Sequence, residues 1–348
     1  MQNDARVPTM NDVARTAGVS SATVSRVING TGKVDKDTRQ RVAEAIERLG
    51  YTPNFGGRFL AAGRSGTIGA VIPTMANAMF AGGLQAFQEV LAGAGRSLLV
   101  ASSGYDPDEE LSQIRNLVSR GAEGLLLIGR HRPEASWDYL ARRKVPHVVT
   151  WAYGTEPGRV YVGFDNRKAA FDLARRVLAF GHRNLAMIGG IGLHNDRARD
   201  RVAGARMAVD ACPGARLSQV IEAGYDPAEG AAAFRRMMAV ADPPSAIICG
   251  NDVIAAGAIM AARGNGIAVP AQVSIVGFDD IELAALSCPP LTTVRVPQRR
   301  MGQEAATVLL AMVAGQTHTD SVLLDTEIIL RESLSACRSP ADVPPTVA

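Results

Sequence analysis

The sequence predicts an α/β protein in which two lobes, each built on a doubly wound parallel sheet, follow a small all-helical head. Three observations predict it. Beyond residue 66, short apolar runs recur about every 20 residues with amphipathic stretches between them, the pattern of strands alternating with helices. That alternation restarts after Tyr161-Val-Gly-Phe-Asp165, which implies a second lobe of the same kind. Residues 1–64 instead hold three short helical stretches with recognisable start and stop signals. At 348 residues the chain exceeds one ordinary core, since a domain averages roughly 150 residues.

In the head, Thr9-Met-Asn-Asp12 reads as a capping box, so a helix starts at Met10 with Val13, Ala14 and Ala17 on its apolar face. Gly18 ends it. Ser20 then caps a second helix, Ser21 to Asn29, which turns Val24, Val27 and Ile28 inward and leaves Ser21, Ala22, Ser25 and Arg26 outside. Two short helices around Ala17-Gly-Val-Ser20 make a helix-turn-helix. A third helix, capped by Asp35 and stopped by Gly50, supplies Val42, Ile46 and Leu49 to close a three-helix core. In this geometry the second helix lies in the major groove of double-stranded DNA, its outer side chains at base edges and its flanking hydroxyls on phosphates.

In the body, Ile68–Ile72, Leu98–Ala101, Gly124–Ile128 and His147–Thr150 are the strands of the first lobe. Strands near Leu185–Ile188, Ala246–Cys249 and Ser274–Phe278 form the second, and Thr292–Val296 and Val322–Leu330 cross back. Ligands of open α/β sheets bind beyond the carboxyl ends of the strands, so polar residues there converge on a cleft between the lobes. Asn251 and Asp279 stand at such ends, an amide and a carboxylate suited to vicinal hydroxyls. The alternative for Asn251-Asp252, and for Asp165-Asn166, is helix capping. Arg201 offers a planar fork to a hydroxyl or carboxylate, and Tyr225 in Gly224-Tyr-Asp226 offers a ring to an apolar sugar face.

Composition narrows the function. Hydrophobic content of 47% with 20% charged residues describes a folded chain. No run of about 18 uncharged apolar residues occurs and the start carries Asp4 and Arg6, so neither a membrane span nor an export signal is expected and the location is cytoplasmic. Residues 1–64 carry ten Arg/Lys against six Asp/Glu, a charge of +4 that leaves about −1 on the rest of a chain of net charge +3, and a basic head suits a nucleic-acid partner. The cysteines, Cys212, Cys249, Cys288 and Cys337, lack CxxC spacing and read as small buried hydrophobes, not as zinc ligands or a disulfide frame. His131, His147, His182, His194 and His318 show no paired spacing, so no metal is expected; they read as surface or hydrogen-bonded loop histidines.

Four segments, Thr9-Met-Asn-Asp-Val-Ala14, Ala17-Gly-Val-Ser20, Thr23-Val-Ser-Arg-Val-Ile-Asn29 and Leu49-Gly-Tyr-Thr-Pro-Asn54, resemble the headpiece of the lactose-repressor (LacI/GalR) family. The body resembles the periplasmic-binding-protein type I fold of the same regulators in Asp165-Asn166, Gly181-His182-Arg183, Arg201-Val-Ala-Gly204, Asn251-Asp252, Val269-Pro270 and Val276-Gly-Phe-Asp-Asp280. The resemblance implies a head at 8–53, a hinge at 54–65, a two-lobed effector-binding and dimerisation domain at 66–333 and a disordered tail at 334–348. It implies a repressor bound to a palindromic operator as a homodimer, or as a tetramer, and released or recruited by a sugar or sugar-acid effector. Tyr161-Val-Gly-Phe-Asp165 and Arg300-Met-Gly302 are similar to a gluconate-repressor subgroup.

By that resemblance Ser21, Ala22 and Arg26 read bases and Thr23, Ser25 and Asn29 contact backbone, with Thr9, Ser20, Lys33 and Asn54 further DNA contacts. Leu60 stands where relatives wedge a leucine into the minor groove, although Gly56-Gly57 replace helix formers in that hinge. Arg201, Asn251 and Asp279 carry the effector, Tyr225 and Phe80 are its apolar walls, and Asn77, Met79, Thr150 and Asn195 are further candidates.

Two rival readings are weaker. A dinucleotide enzyme would rest on Gly189-Gly-Ile-Gly192, which lacks GxGxxG spacing and a downstream acid, so no enzyme and no cofactor are expected. A sugar-binding transport protein would share the fold but carry an export signal and no DNA-binding head.

Overall fold

A computed structural model describes residues 6–52, 65–76, 78–316 and 320–337. The chain divides into two units, Met1–Gly66 and Thr67–Ala348. Asn54, Gly56, Gly57, Leu60 and Asn77 lie outside the described residues, and so does the side chain of Asn29.

The head folds by local rules. Helices α1 (Met10–Ala17), α2 (Ser21–Asn29) and α3 (Lys36–Leu49) begin at Thr9, Ser20 and Asp35, whose side chains accept from the amides of Asp12, Thr23 and Thr38. The Thr9 box is reciprocal, the Thr9 amide donating to Asp12 Oδ2 at 2.9 Å. Hydrogen bonds from Thr9 hold the Asp12 carboxyl below the usual carboxylate range. All three helices end on a glycine with φ between 61° and 66°, a conformation that costs other residues about 1 kcal/mol. Val13, Ala14, Ala17, Val24, Val42, Ala45 and Tyr51 form the core, while Val27, Ile28, Ile46 and Leu49 are half-buried at its edge.

In the body, lobe 1 runs β1 (Thr67–Ile72), a 3-10 turn (Ala78–Phe80), α4 (Ala81–Gly93), β2 (Ser97–Ser102), α5 (Pro107–Ser119), β3 (Ala122–Ile128), α6 (Glu134–Arg143), β4 (His147–Thr150) and β5 (Val160–Gly163). Lobe 2 runs α7 (Asn166–Ala179), β6 (Asn184–Gly190), α8 (Asp196–Asp210), β7 (Arg216–Ala223), α9 (Pro227–Met238), β8 (Ala246–Cys249), α10 (Asp252–Gly264), β9 (Ser274–Val276) and α11 (Glu282–Leu286). The chain returns through β10 (Thr293–Arg295), α12 (Gln298–Val313), β11 (Val322–Leu323) and β12 (Glu327–Ile329).

The first sheet has the order β2-β1-β3-β4-β5-β11 and the second β7-β6-β8-β9, with every neighbouring pair parallel. Strand order therefore reverses between β1 and β3 in one lobe and between β6 and β8 in the other. These are the two topological switch points, where loops diverge and leave a crevice. Segments 163–166, 295–298 and 323–327 carry the chain between lobes, and β10 pairs antiparallel with β12.

Helices cover the sheets in pairs that cross on glycines. A Cβ at Gly204 of α8 would enter the Arg167 carbonyl of α7, one at Gly257 of α10 the Pro227 carbonyl of α9, and one at Gly302 of α12 the Gly83 carbonyl of α4. Such close approach excludes side chains on the facing turn.

Three expectations need correction. Strand β7 was not among those expected, because as an edge strand it alternates polar and half-buried residues and lacks an apolar run. The expected strand β2 is present, and it is an edge strand too, with Leu99 and Val100 facing outward. Residues 334–337 are ordered: Leu334 is buried, the Ser335 amide donates to Ser274 Oγ and the Cys337 amide to the Phe180 carbonyl. Of the four cysteines only Cys249 is buried; Cys212 is half-buried, and Cys288 and Cys337 are exposed.

Candidate functional site

On the head, α2 presents Ser21, Ala22 and Arg26 to solvent, with Thr23 and Ser25 half-buried beside them and Lys33 exposed in the following loop. Ser20 accepts from the Thr23 amide at 3.2 Å and its hydroxyl lies 2.9 Å from Thr23 Oγ1, so these two side chains fix the start of the helix. Free amides in the first turn of a helix attract anions, and here they accompany an exposed arginine and lysine. The surface is suited to a phosphate backbone with base edges beyond it.

In the body, the strand ends at both switch points carry the polar residues expected of a site. Beyond β1, the 3-10 turn buries Met79 and Phe80, and the Phe80 ring meets Trp151, just after β4, edge-on at 5.3 Å. In the other lobe β8 ends in Gly250-Asn251, close against the backbone of Gly190 at the end of β6. Helix α8 brings Arg201 to the same place, and Phe278-Asp279 follow β9.

Arg201 is 2% exposed. Its Nε donates to Asn166 Oδ1 at 2.9 Å, its two terminal nitrogens to the Gly250 carbonyl at 2.6 Å and to Asp279 Oδ1 at 3.3 Å, and its guanidinium lies 3.7 Å from the centre of the Phe278 ring. Three of the five N–H donors of the side chain are used in these bonds. Asn251, 1% exposed, accepts from the Ile254 amide at 2.8 Å through Oδ1 and so caps α10. Its Nδ2 is buried with no acceptor among the described residues. Leaving a buried donor unmet costs about 1–3 kcal/mol, which an oxygen-rich ligand would recover.

Two carboxyls share this environment. Burial pushes Asp279 up to about 6, against the pull of Arg201, and pushes Asp252 up to about 8, with the negative charge of Asp279 adding to it. Asp252 accepts from Thr293 Oγ1 at 2.6 Å and from the Ile281 amide at 2.9 Å, tying α10 to β10 and to the loop before α11.

The lobes also meet outside this floor. Arg130, after β3, donates its amide to Asp196 at 2.8 Å and its guanidinium to Asp200 at 2.8 Å, both on α8. His131 stacks on His194 at 5.8 Å, and Tyr105 faces Tyr225 at 6.1 Å. Gly104, Tyr105, Ile191, Leu193, Asn195 and Tyr225 contribute to the lining of a cavity of about 300 Å³ at the mouth. Tyr105 is close enough to Arg201 to feel its charge, although burial still pushes the phenol well above its ordinary value.

Comparison with known proteins agrees with this geometry. Residues 9–54 match the bacterial regulatory proteins of the lacI family, and residues 174–334 a periplasmic binding protein-like domain. The HTH-type transcriptional regulator GntR of Pseudomonas aeruginosa is 33% identical over 329 residues, which is 94% of this chain and 95% of that protein. The chain belongs to the LacI family.

Solved structures of LacI-family proteins align over nearly the whole length. The lac repressor dimer bound to operator and the anti-inducer ONPF gives a TM-score of 0.84 at 27% identity, covering 95% of this chain and 100% of that one. The CelR–cellobiose complex gives 0.69 at 30%, covering 94% and 99%. The named relatives are transcription regulators, which points away from catalysis. Among the described residues no helix is long and apolar enough to cross a membrane.

Of the effector candidates in this LacI-family body, the structure brings Arg201, Asn251 and Asp279 together on a buried floor, with Met79 and Phe80 buried beyond the end of β1. Tyr225 lines the mouth. Two candidates spend their polar atoms inside the protein, which argues against ligand contact. The Thr150 hydroxyl donates to the Leu127 carbonyl at 3.1 Å, and Asn195 caps α8 through Oδ1 while its Nδ2 donates to the Tyr225 hydroxyl at 3.0 Å. Asn195 therefore holds Tyr225 in place.

Sequence reasoning missed Asn166, Trp151 and Phe278. Asp165-Asn166 reads as a helix cap, and Asp165 does cap α7, accepting from the amides of Arg167 and Lys168. Asn166 instead turns inward to Arg201, a contact between residues 35 apart that no local pattern announces.

Proposed function

We propose that this LacI-family chain is a sequence-specific, cytoplasmic transcription regulator, a repressor that binds a palindromic operator as a homodimer. Its DNA affinity is set by a small polyhydroxylated effector, a sugar or sugar acid, held between the lobes. Ser21, Ala22 and Arg26 read bases, and Ser20, Thr23, Ser25 and Lys33 hold the backbone. Arg201, Asn251 and Asp279 bind effector oxygens, with Met79, Phe80 and Tyr225 as apolar walls.

The observation that carries the reading is the buried Nδ2 of Asn251, which has no acceptor among the described residues and lies near Arg201 and Asp279, in a chain that also bears a helix-turn-helix. Ligand seated there bridges both lobes and favours one lobe arrangement by its differential affinity, typically worth about 1–3 kcal/mol of coupling. Relatives fit this logic: one aligned structure is a repressor bound to operator and another a regulator bound to cellobiose.

The test joins a thermal-shift screen of aldoses, aldonates, uronates and nucleosides to gel shifts with DNA from upstream of the gene, at one fixed salt concentration. A stabilising compound should change the operator affinity. A compound that stabilises the chain and leaves DNA binding unaltered refutes the regulatory reading.

A further inference from the structure

Asn166 is the first residue of α7, immediately after the first crossing between the lobes, and it is buried. Both ends of its amide are engaged. Nδ2 donates to the Trp151 carbonyl at 2.9 Å, and Oδ1 accepts from Arg201 Nε at 2.9 Å. The partners fix the orientation, because a flipped amide would set N–H against the guanidinium and oxygen against the carbonyl. The bonds of Arg201 to Gly250 and Asp279 stay within lobe 2. Its bond to Asn166 leads toward lobe 1.

Trp151 is seated where lobe 1 would register a pull. Its φ is +57°, a left-handed conformation that a bulky residue adopts only when its surroundings hold it there. Its amide reaches Met301 Sδ of α12 at 3.4 Å, its ring meets Phe80 edge-on, and a Cβ at Gly83 of α4 would collide with the indole. One residue thus touches the 3-10 turn, α4 and α12 while its carbonyl receives Asn166.

We infer that Asn166 is a positioning residue: it sets Arg201 for the effector and carries the state of that arginine across the hinge to Trp151 and lobe 1. The inference rests on the cleft being the effector site. Asn166 needs no contact with ligand for this. When Arg201 turns to meet a ligand, the Nε bond shifts the amide, and the amide shifts the carbonyl of a residue already held in a strained conformation.

The chain contains two tryptophans, so Trp137→Phe leaves Trp151 as a single fluorophore in the full chain. In that background a double-mutant cycle combines Asn166→Ala with Arg201→Lys, which keeps the cation and removes Nε. The readout is acrylamide quenching of Trp151. With Asn166 present, Arg201→Lys should raise the quenching constant about twofold; with Ala at 166 the same change should move it by less than about a fifth, since coupled residues fail to add. General damage to packing would add instead, and additive effects overturn the relay. Asn166→Asp provides a second route if Arg201→Lys does not fold: it keeps an acceptor for Arg201 but loses the donor to Trp151. It should match Asn166→Ala in quenching while its far-ultraviolet circular dichroism is unchanged, and parental quenching in that variant also overturns the relay. An additive cycle leaves the effector cleft standing, whereas a sugar screen without a stabilising compound removes the cleft and with it the effector role of Asn166, and leaves only the coupling of Arg201 to Trp151.

Discussion

Replacing Asp252 with asparagine should make the protein progressively more stable than the parent as the pH rises from 5 to 8. The carboxyl is buried, its folded value is pushed up to about 8, and the ordinary value is 3.8. A carboxyl raised by folding is protonated in the folded chain and ionised in the unfolded one throughout that window. Unfolding then releases a proton, and stability falls as pH rises, by at most about 1.4 kcal/mol per unit. Over three units the ceiling is about 4 kcal/mol for the parent, and the asparagine variant lacks this loss. Asparagine can preserve both contacts, accepting from the Ile281 amide and donating to Thr293 Oγ1. Urea unfolding of the two proteins at pH 5, 6.5 and 8 measures the difference, and a gap that widens in favour of the variant is the expected result. A variant weaker than the parent by one constant amount at all three values would refute the reasoning, because Asp252 would then be ionised and stabilising in the fold.

Three further outcomes are expected. Arg26→Ala should cost about 1–3 kcal/mol on operator DNA and almost nothing on scrambled DNA, as measured by gel shift; equal losses would make Arg26 a phosphate contact. Asp279→Asn should weaken the thermal shift produced by any stabilising sugar while operator affinity without ligand is kept, and an unchanged ligand midpoint would place binding elsewhere. Gly204→Ala should lower stability by about 1–3 kcal/mol in urea titration, because the new methyl group meets the Arg167 backbone carbonyl, which cannot rotate away.

What the sequence revealed follows from the range of the forces involved. Thr9, Ser20 and Asp35 act on amides three residues away, and Gly18 and Gly50 act on the turns they close, so the three helices of the head were readable. Central strands were readable because burial on both faces makes them continuously apolar, as β1 is. Edge strands break that rule, which hid β7, whereas β2 was readable because its run is apolar although it lies at the edge. In the cleft, Arg201, Asn251 and Asp279 came from strand-end logic and family resemblance together. Asn166 did not, because its neighbour Asp165 accounts for the local pattern and its own partners, Trp151 and Arg201, lie on other elements. Asn195 carries a structural role that the same logic did not announce, since it caps α8 and holds Tyr225 while it lines the cavity.

Backbone strain marks the cleft independently of any side-chain chemistry. Among the described residues, Tyr105, Lys144, Trp151, His194, Asp279 and Asp280 have positive φ without being glycine. Lys144 merely closes α6. The other five follow strands β2, β4, β6 and β9, and they come from both lobes. A non-glycine residue held there costs about 1–2 kcal/mol, so each is comparable in size with the 1–3 kcal/mol by which a ligand typically couples two states. Such strain persists only where neighbours over-determine it. Here those neighbours include the opposite lobe for Tyr105, against Tyr225, and for His194, against His131, while Asp279 meets Arg201 within its own lobe and Asn166 ties that arginine to Trp151. Strain of this size is comparable with the coupling free energy of a ligand, so a ligand supplying only a few hydrogen bonds at these strand ends is on the scale needed to favour one arrangement of the backbone over another.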